Sequence, residues 1–180
     1  MAMIKPMSER TMLSRRAGRV TRYHTQYMVK PENVAEHTFN ILNLLYIMTS
    51  GKVSYRLITA ALNHDQGEYI SGDIPSPVKR GFDNDARRAV DALEEGAIKV
   101  IHPYFEEQMT AEEAWMLKLA DQLDGVIKCT EEVQLGNRSM VPCGDNYRAY
   151  IEDVMAGRDH DHIFLLVCEI LAAYQGARDK

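Results

Sequence analysis

The chain has few cysteines, and their placement excludes two kinds of cysteine-based scaffold. Its 180 residues include only Cys129, Cys143 and Cys168, and no CxxC pair is present. An odd number of cysteines at wide spacing argues against a disulfide framework and against a cysteine zinc site. We therefore expect a protein of a reducing compartment, and the cytoplasm is the expected location.

Long hydrophobic runs and an excess of positive charge are also missing. No stretch of about 18 apolar residues occurs, so we expect no transmembrane helix and no membrane partner. Residues 1–16 lack the apolar run of a secretory signal. The net charge is −5, which argues against a nucleic-acid polymer as partner. A small phosphorylated substrate remains compatible with this charge, because a local basic pocket can exist in an acidic protein.

A convincing period-two strand pattern is absent, and helical periodicity dominates the chain. We expect the fold class to be all-α, a compact helical bundle formed as a single domain over residues 1–180. The predicted helices cover residues 34–49, 55–70, 84–100, 111–135, 147–155 and 162–174. Residues 71–77 are predicted to be a loop, because prolines at 75 and 77 cannot both continue a helix. The last helix is very apolar, which predicts burial in the core or at a subunit contact of a homo-oligomer.

A histidine–aspartate pair with a glutamate one turn later is the first candidate for chemistry. On a helix, His64, Asp65 and Glu68 could project toward one side. Imidazole and carboxylate groups together suit a divalent metal such as zinc, cobalt, manganese or magnesium. Taken alone, the His-Asp dipeptide is common, and a pair on a helix surface is the favoured explanation of it.

A second histidine strengthens the metal hypothesis. His37 lies on the apolar side of its predicted helix, where a histidine is usually a hydrogen-bonded core residue. If it meets the buried His-Asp pair, the carboxylate would need a compensating cation. A fourth ligand should come from the later helices, and Asp121 and Asp124 are both candidates. Periodicity does not choose between them.

Four segments, taken together, resemble one known family in order and local spacing. These are Glu32-Asn33-Val34-Ala35-Glu36-His37, Asn63-His64-Asp65-Gln66-Gly67-Glu68-Tyr69, Gly72-Asp73-Ile74-Pro75-Ser76-Pro77-Val78-Lys79 and Lys118-Leu119-Ala120-Asp121-Gln122-Leu123. The set resembles the HD-domain 5′-deoxynucleotidases, over about residues 19–137. The preceding Arg22-Tyr23-His24-Thr25 looks like the bacteriophage branch of these proteins, which includes dATP triphosphohydrolases.

The resemblance implies roles for individual residues of this chain. It implies a divalent metal ion (Co, Mn, Zn or Mg) held by His37, His64, Asp65 and Asp121. It implies that Glu68 is the catalytic acid or base, with Asp73 and Arg22 also in the catalytic set. It implies a substrate site formed by Arg22, Tyr23, Thr25, Asp73, Pro77, Lys79 and Lys118. The bacterial enzymes carry tryptophan where this chain has Tyr23, which leaves the strictness of the 2′-deoxy preference open.

The expected function is hydrolysis of the 5′-phosphate ester of a deoxynucleotide, with release of the deoxynucleoside. The phage-like segment leans toward dATP and release of triphosphate, and hydrolysis of a deoxynucleoside monophosphate is the alternative. A non-catalytic nucleotide-binding module of the same fold is a more distant alternative. A di-metal oxygenase of this fold is disfavoured, because no adjacent His-His pair occurs.

Overall fold

The computed structural model describes residues 4–106, 108–158 and 161–180, with all side chains except those of Ser76, Pro77, Arg80 and Asp161. Two short strands, β1 Thr21–Arg22 and β2 Glu32–Asn33, pair in antiparallel fashion. The α-helices are α1 Met7–Ala17, α2 Val34–Met48, α3 Tyr55–Asn63, α4 Glu68–Ser71, α5 Ser76–Gly81, α6 Asn84–Ile101, α7 Ala111–Gln134, α8 Val141–Met155 and α9 Asp161–Arg178. A 3-10 helix at Arg138–Met140 leads into α8. The predicted all-α fold class is therefore confirmed.

The two helices that matter most for the site begin with the same local device. In α2, the Asn33 side chain accepts from the Glu36 N–H, and Glu36 reaches back to the Asn33 N–H. In α7, Thr110 and Glu113 form the same reciprocal pair. Such capping boxes satisfy two amide groups that the first helical turn leaves unpaired. The start of each helix is therefore specified locally, before any tertiary contact.

Helix α7 is the centre of the bundle and packs against α2, α3, α8 and α9. Its apolar side, which includes Leu119, Leu123 and Val126, is completely buried. The partners of this side include Ile41 and Leu45 of α2 in the same core cluster. Any polar residue on the buried side of α7 is thereby carried into the interior next to α2.

The prediction of one continuous helix over residues 55–70 is wrong. Helix α3 ends at Asn63, the chain makes a turn through His64 to Gly67, and α4 begins at Glu68. Short-range bonds from the Gln66 N–H to the Asn63 carbonyl and from the Glu68 N–H to the Asp65 carbonyl replace the regular helical pattern. His64, Asp65 and Glu68 therefore face one region through a turn rather than through a continuous helical face.

Helices α1, α5 and α8 differ from the sequence predictions in smaller ways. The arginine-rich start forms helix α1, which was not predicted, and α8 begins at Val141 rather than at residue 147. Helix α5 begins at Ser76, so the predicted loop is shorter at its end.

The last helix, α9, is buried on one side only. Ile163 and Val167 lie in the core, whereas the side chains of Phe164 and Leu165 are more than half exposed. Self-association through this apolar face stays a prediction.

Among the described residues, no helix combines the length and the apolar character that crossing a bilayer requires.

Candidate active site

Three separate parts of the chain bring metal-binding atoms to one point. His37 comes from the first turns of α2, His64 and Asp65 from the turn after α3, and Asp121 from the middle of α7. The two Nε2 atoms of His37 and His64 are 3.4 Å apart, and each is 3.4 Å from Asp65 Oδ2. Asp121 Oδ1 lies 3.2 Å from His37 Nε2. Four side chains that the sequence placed together only by resemblance are thus neighbours in space.

The separations among these atoms fit ligands of one ion. Two donors each about 2.1 Å from a tetrahedral ion lie about 3.4 Å apart. The donor atoms of His37, His64 and Asp65 all lie within 4.8 Å of one another. Asp121 is outside this tight group of three, but its side chain is 34% exposed, so a rotation could bring its oxygen to a shared ion. The donor set, two imidazoles and two carboxylates, suits a divalent cation of the zinc, cobalt or manganese type.

Each histidine makes a hydrogen bond through its Nδ1 atom, which leaves its Nε2 atom available to a ligand. His37 Nδ1 is 2.6 Å from Asp124 Oδ2, and His64 Nδ1 is 2.6 Å from the Ala61 carbonyl oxygen. An acceptor at Nδ1 favours the tautomer whose proton is on Nδ1, so Nε2 keeps its lone pair. These contacts therefore orient both rings toward the same point as metal ligands require.

The structure distinguishes Asp121 from Asp124, which helical periodicity left as equal candidates for the fourth ligand. Asp121 faces the Nε2 side of His37, where the other donors converge, and Asp124 faces its Nδ1 side. Asp124 is 3% exposed and thus fully inside the bundle. Burial alone would lower the pKa of His37, but its hydrogen bonds with Asp121 and Asp124 raise the pKa to about 9. The carboxylates around this ring therefore favour a positive charge at Nε2, which is a proton when no metal is bound and would be replaced by a divalent ion bound there.

Glu68 is buried beside the cluster with one oxygen unpaired. Its exposure is 3%, and its Oε2 atom has no hydrogen-bond partner among the described residues. Burial, followed by the negative charges of Asp65 and Asp73, raises the pKa of Glu68 to about 9. A buried carboxyl of this kind holds a proton near neutral pH and can donate it to a bound group. The unpaired oxygen also marks a place where a ligand atom would complete the hydrogen bonding.

Arg22 connects the small β-ribbon to the cluster. Its Nη1 donates to Asp65 Oδ2 at 2.8 Å, and its Nε lies 3.4 Å from Glu32 Oε2 on the neighbouring strand. Glu32 is opposite Arg22 in the β1–β2 register, and burial, followed by the charge of Asp124, raises its pKa to about 7. Sequence reasoning gave Glu32 no role of its own. Its cross-strand pairing with Arg22 was the missing signal, and two-residue strands give no recognisable pattern in a sequence.

The predicted sugar-pocket residue Tyr23 has a backbone conformation that Asp73 holds in place. Its φ is 55°, in the left-handed region that non-glycine residues rarely adopt. Its N–H donates to Asp73 Oδ2 at 3.0 Å. Gly72, with φ 72°, ends α4 with a conformation that favours glycine. This turn places the Asp73 carboxylate against Tyr23, so Asp73 shapes the pocket wall in addition to lying near Glu68.

A cavity of about 510 Å³ opens beside Arg22 and Tyr23. Its lining includes Asp73 and, from the other side, Tyr147 and Tyr150 of α8. This size and the mixture of aromatic, apolar and a few polar groups suit a small organic ligand such as a nucleoside. Tyr147 is a lining residue that sequence reasoning missed, because nothing in the sequence indicates that the middle of α8 faces β1.

The remaining predicted substrate residues have different outcomes. Lys79 Nζ is 3.9 Å from Glu68 Oε1, at the edge of the cluster. Thr25 lines the cavity. Lys118 is an exposed residue of α7, and the structure shows no contact between it and the cluster. The predicted role of Pro77 concerns a side chain outside the described ones.

The structural relatives share the fold of this protein. The fold matches an HD-domain phosphohydrolase from Listeria innocua with a TM-score of 0.74 and 20% identity, over 96% of this chain and 92% of that one. It also matches the cyanophage S-2L HD phosphohydrolase DatZ, solved with dA and one catalytic Zn²⁺ ion, with a TM-score of 0.62 and 16% identity over 94% of this chain and 96% of that one. Both likenesses show that the fold is that of the HD-domain phosphohydrolases.

Sequence comparison specifies the family within that class. The family model described as 5′-deoxynucleotidase YfbR-like matches residues 11–165. A 5′-deoxynucleotidase of Photorhabdus laumondii is 28% identical over 138 residues, which cover 66% of this chain and 70% of that protein. The 5′-deoxynucleotidase YfbR of Escherichia coli is 26% identical over 153 residues, covering 74% and 77%. This chain belongs to the YfbR-like 5′-deoxynucleotidase family, as the sequence resemblance predicted.

Proposed function

We propose that this protein hydrolyses the 5′-phosphate ester of a deoxynucleotide and releases the deoxynucleoside. The observation that carries the proposal is the convergence of His37, His64, Asp65 and Asp121 beside a buried carboxyl, Glu68. Arg22, which donates to Asp65, also lines a nucleoside-sized cavity. The names of the curated relatives support the same substrate class.

The four converging side chains would hold one divalent ion. When bound there, such an ion lowers the pKa of a coordinated water and polarises a phosphoryl oxygen. Asp124 and the Ala61 carbonyl would keep the two imidazole rings in the orientation that binding needs. The two imidazole donors would therefore be in place before the ion arrives, and a rotation of the Asp121 side chain would complete the set.

The phosphate would lie between the ion site and the cationic side chains of Arg22 and Lys79. Arg22 donates one hydrogen bond to Asp65. Its remaining N–H groups would donate to the phosphoryl oxygens in the two-pronged geometry that guanidinium groups favour. Lys79, 3.9 Å from Glu68, would add a second positive charge as electron density shifts to the phosphoryl oxygens. Glu68 would pass its proton to the 5′ oxygen of the leaving deoxynucleoside.

The charge of the described site favours a monophosphate over the triphosphate toward which the phage-like segment leans. A triphosphate needs several more cationic neighbours than a monophosphate. Among the described side chains, Arg22 and Lys79 approach the cluster, whereas Arg15, Arg16, Arg19 and Lys118 are exposed. We therefore place deoxynucleoside monophosphates first and dATP second as substrates.

The direct test is turnover by the purified protein with Co²⁺, Mn²⁺, Zn²⁺ or Mg²⁺ added in turn. We expect chromatography to show deoxyadenosine released from dAMP, with slower release from dATP and loss of both activities on chelation. Release of triphosphate from dATP at a higher kcat/KM than that for dAMP would reverse the order of substrates. If no deoxynucleotide turns over with any of these ions, the proposed function is wrong.

Asp124 gives a test of the metal site that does not depend on substrate. Replacing Asp124 with asparagine should weaken metal binding by about 10- to 100-fold, because the His37 ring loses the carboxylate that orients it. Metal titration against a competing chelator measures this change. Asp91→Asn, on the exposed side of α6, is the matched control and should bind metal like the wild type. Equal metal affinity in the Asp124 variant would contradict the assigned arrangement.

A further inference from the structure

Two tyrosines from distant parts of the chain share a hydrogen bond in the wall of the cavity. The hydroxyl oxygens of Tyr23, next to β1, and Tyr147, on α8, are 3.0 Å apart. Both residues line the cavity. Burial raises the pKa of each phenol above its ordinary value, so both remain protonated near neutral pH. The bond is therefore a neutral one in which each hydroxyl has the other as its partner.

A glycine on α7 allows this pair to form. A Cβ atom at Gly125 would lie 2.4 Å from the Tyr147 ring, far inside the closest normal contact. The ring of Tyr147 therefore lies directly against the helix backbone, and a larger residue at this position would push it away. With Gly125 behind it, Tyr147 is fixed at the depth where it reaches Tyr23.

We propose that Tyr147 is a positioning residue that favours deoxyribose over ribose by engaging the hydroxyl of Tyr23. The inference rests on the proposed function, because it assigns the sugar of the nucleotide to this cavity. A free Tyr23 hydroxyl in the cavity would be a partner for the 2′-hydroxyl of a ribose. When Tyr23 donates its proton to Tyr147, it has no proton left to donate to a 2′-hydroxyl, and a 2′-hydroxyl buried against the Tyr23 ring loses its hydrogen bonds to water.

The test compares sugar preference in variants that remove one hydroxyl or both. Binding of 2′-deoxyadenosine and adenosine, and of the corresponding pairs with the other three bases, is measured by calorimetry on the wild type and each variant. The ratio of kcat/KM for dAMP and AMP is measured in parallel. We expect Tyr147→Phe to lower the preference for the deoxy form by about fivefold to tenfold, the size of one net hydrogen bond. The double variant Tyr23→Phe/Tyr147→Phe should recover the preference, because no free hydroxyl remains.

Two further variants separate positioning from simple packing. Gly125→Ala should displace the Tyr147 ring and lower the preference as Tyr147→Phe does. Tyr46→Phe removes a hydroxyl from a tyrosine that is 60% exposed on α2, and should change neither the rate nor the preference.

The outcomes distinguish this inference from the proposed function. An unchanged preference in Tyr147→Phe overturns the inference, and so does an equal loss in the single and double variants, which would indicate packing alone. A wild type that binds both sugars equally also overturns it. A wild type that prefers deoxynucleosides but hydrolyses no nucleotide refutes the proposed function and leaves the inference to be decided by the binding data.

Discussion

Replacing Glu68 with glutamine should lower kcat by about 10²- to 10⁴-fold, the range expected when a general acid is removed. Glutamine keeps the size of the side chain but cannot donate a carboxyl proton to the leaving oxygen. Because Glu68 has a pKa raised to about 9 by burial and then by Asp65 and Asp73, it is already neutral near pH 7. A neutral substitute should therefore leave the fold intact.

Three measurements on the Glu68→Gln variant separate loss of chemistry from loss of structure. Metal content and the affinity for the product deoxynucleoside should match the wild type, and the midpoint of thermal unfolding should stay within a few degrees. Glu95→Gln is the matched control, since Glu95 is an exposed α6 residue paired with Lys99. By contrast, His64→Ala should lose both metal and turnover. A Glu68→Gln variant as active as the wild type would show that another group supplies the proton.

Replacing Glu132 with alanine should lower the free energy of unfolding by about 3–5 kcal/mol, although Glu132 is not among the proposed metal ligands or catalytic groups. Glu132 is completely buried on α7. It accepts hydrogen bonds of 2.8 Å from the N–H groups of Val29 and Lys30 and from the Asn137 side chain, and it lies 3.5 Å from Lys128 Nζ. Burial would raise the pKa of Glu132, but these hydrogen bonds lower it, so the carboxylate is charged. Its removal would leave the N–H groups of Val29 and Lys30 without their acceptor and the buried Lys128 without its opposite charge.

The expected loss corresponds to a fall of about 6–20 °C in the midpoint of thermal unfolding for a chain of this length. Glu131→Ala, one position earlier on the exposed side of α7, should change the midpoint by no more than about 2 °C. Circular dichroism on both variants measures the difference. If the Glu132 variant has the same unfolding midpoint as the wild type, the segment before β2 does not depend on the contacts of Glu132.

The contacts of Glu132 also affect the candidate site indirectly. The segment that contains Val29 and Lys30 leads into β2, and β2 pairs with the strand that carries Arg22. We therefore expect partial loss of the Glu132 contacts to loosen Arg22 before it loosens the α2–α7 core.

Much of the fold could be predicted from local patterns in the sequence. The helices of residues 34–48, 84–101 and 111–134 were predicted to within about two residues, because their apolar positions repeat with the helical period and α2 and α7 carry capping boxes. The break after Asn63 was missed. His64 to Gly67 contain no proline, and one glycine alone does not predict the end of a helix. The close approach of the Gly67 backbone to Glu94 of α6 is visible only in the fold.

The amino-acid sequence by itself determined the helical class, the family, and the residue types that could bind a metal and a phosphate. Those features depend on side-chain chemistry and on spacing along the chain, and both are visible without coordinates. The tertiary structure alone decided that Asp121 faces Nε2 of His37 while Asp124 faces Nδ1, that Glu32 stands behind Arg22, and that Tyr147 reaches Tyr23. These are contacts between residues separated by 10 to 124 positions. They depend on how β1 pairs with β2 and on how α2, α7 and α8 pack, rather than on any pattern within one segment.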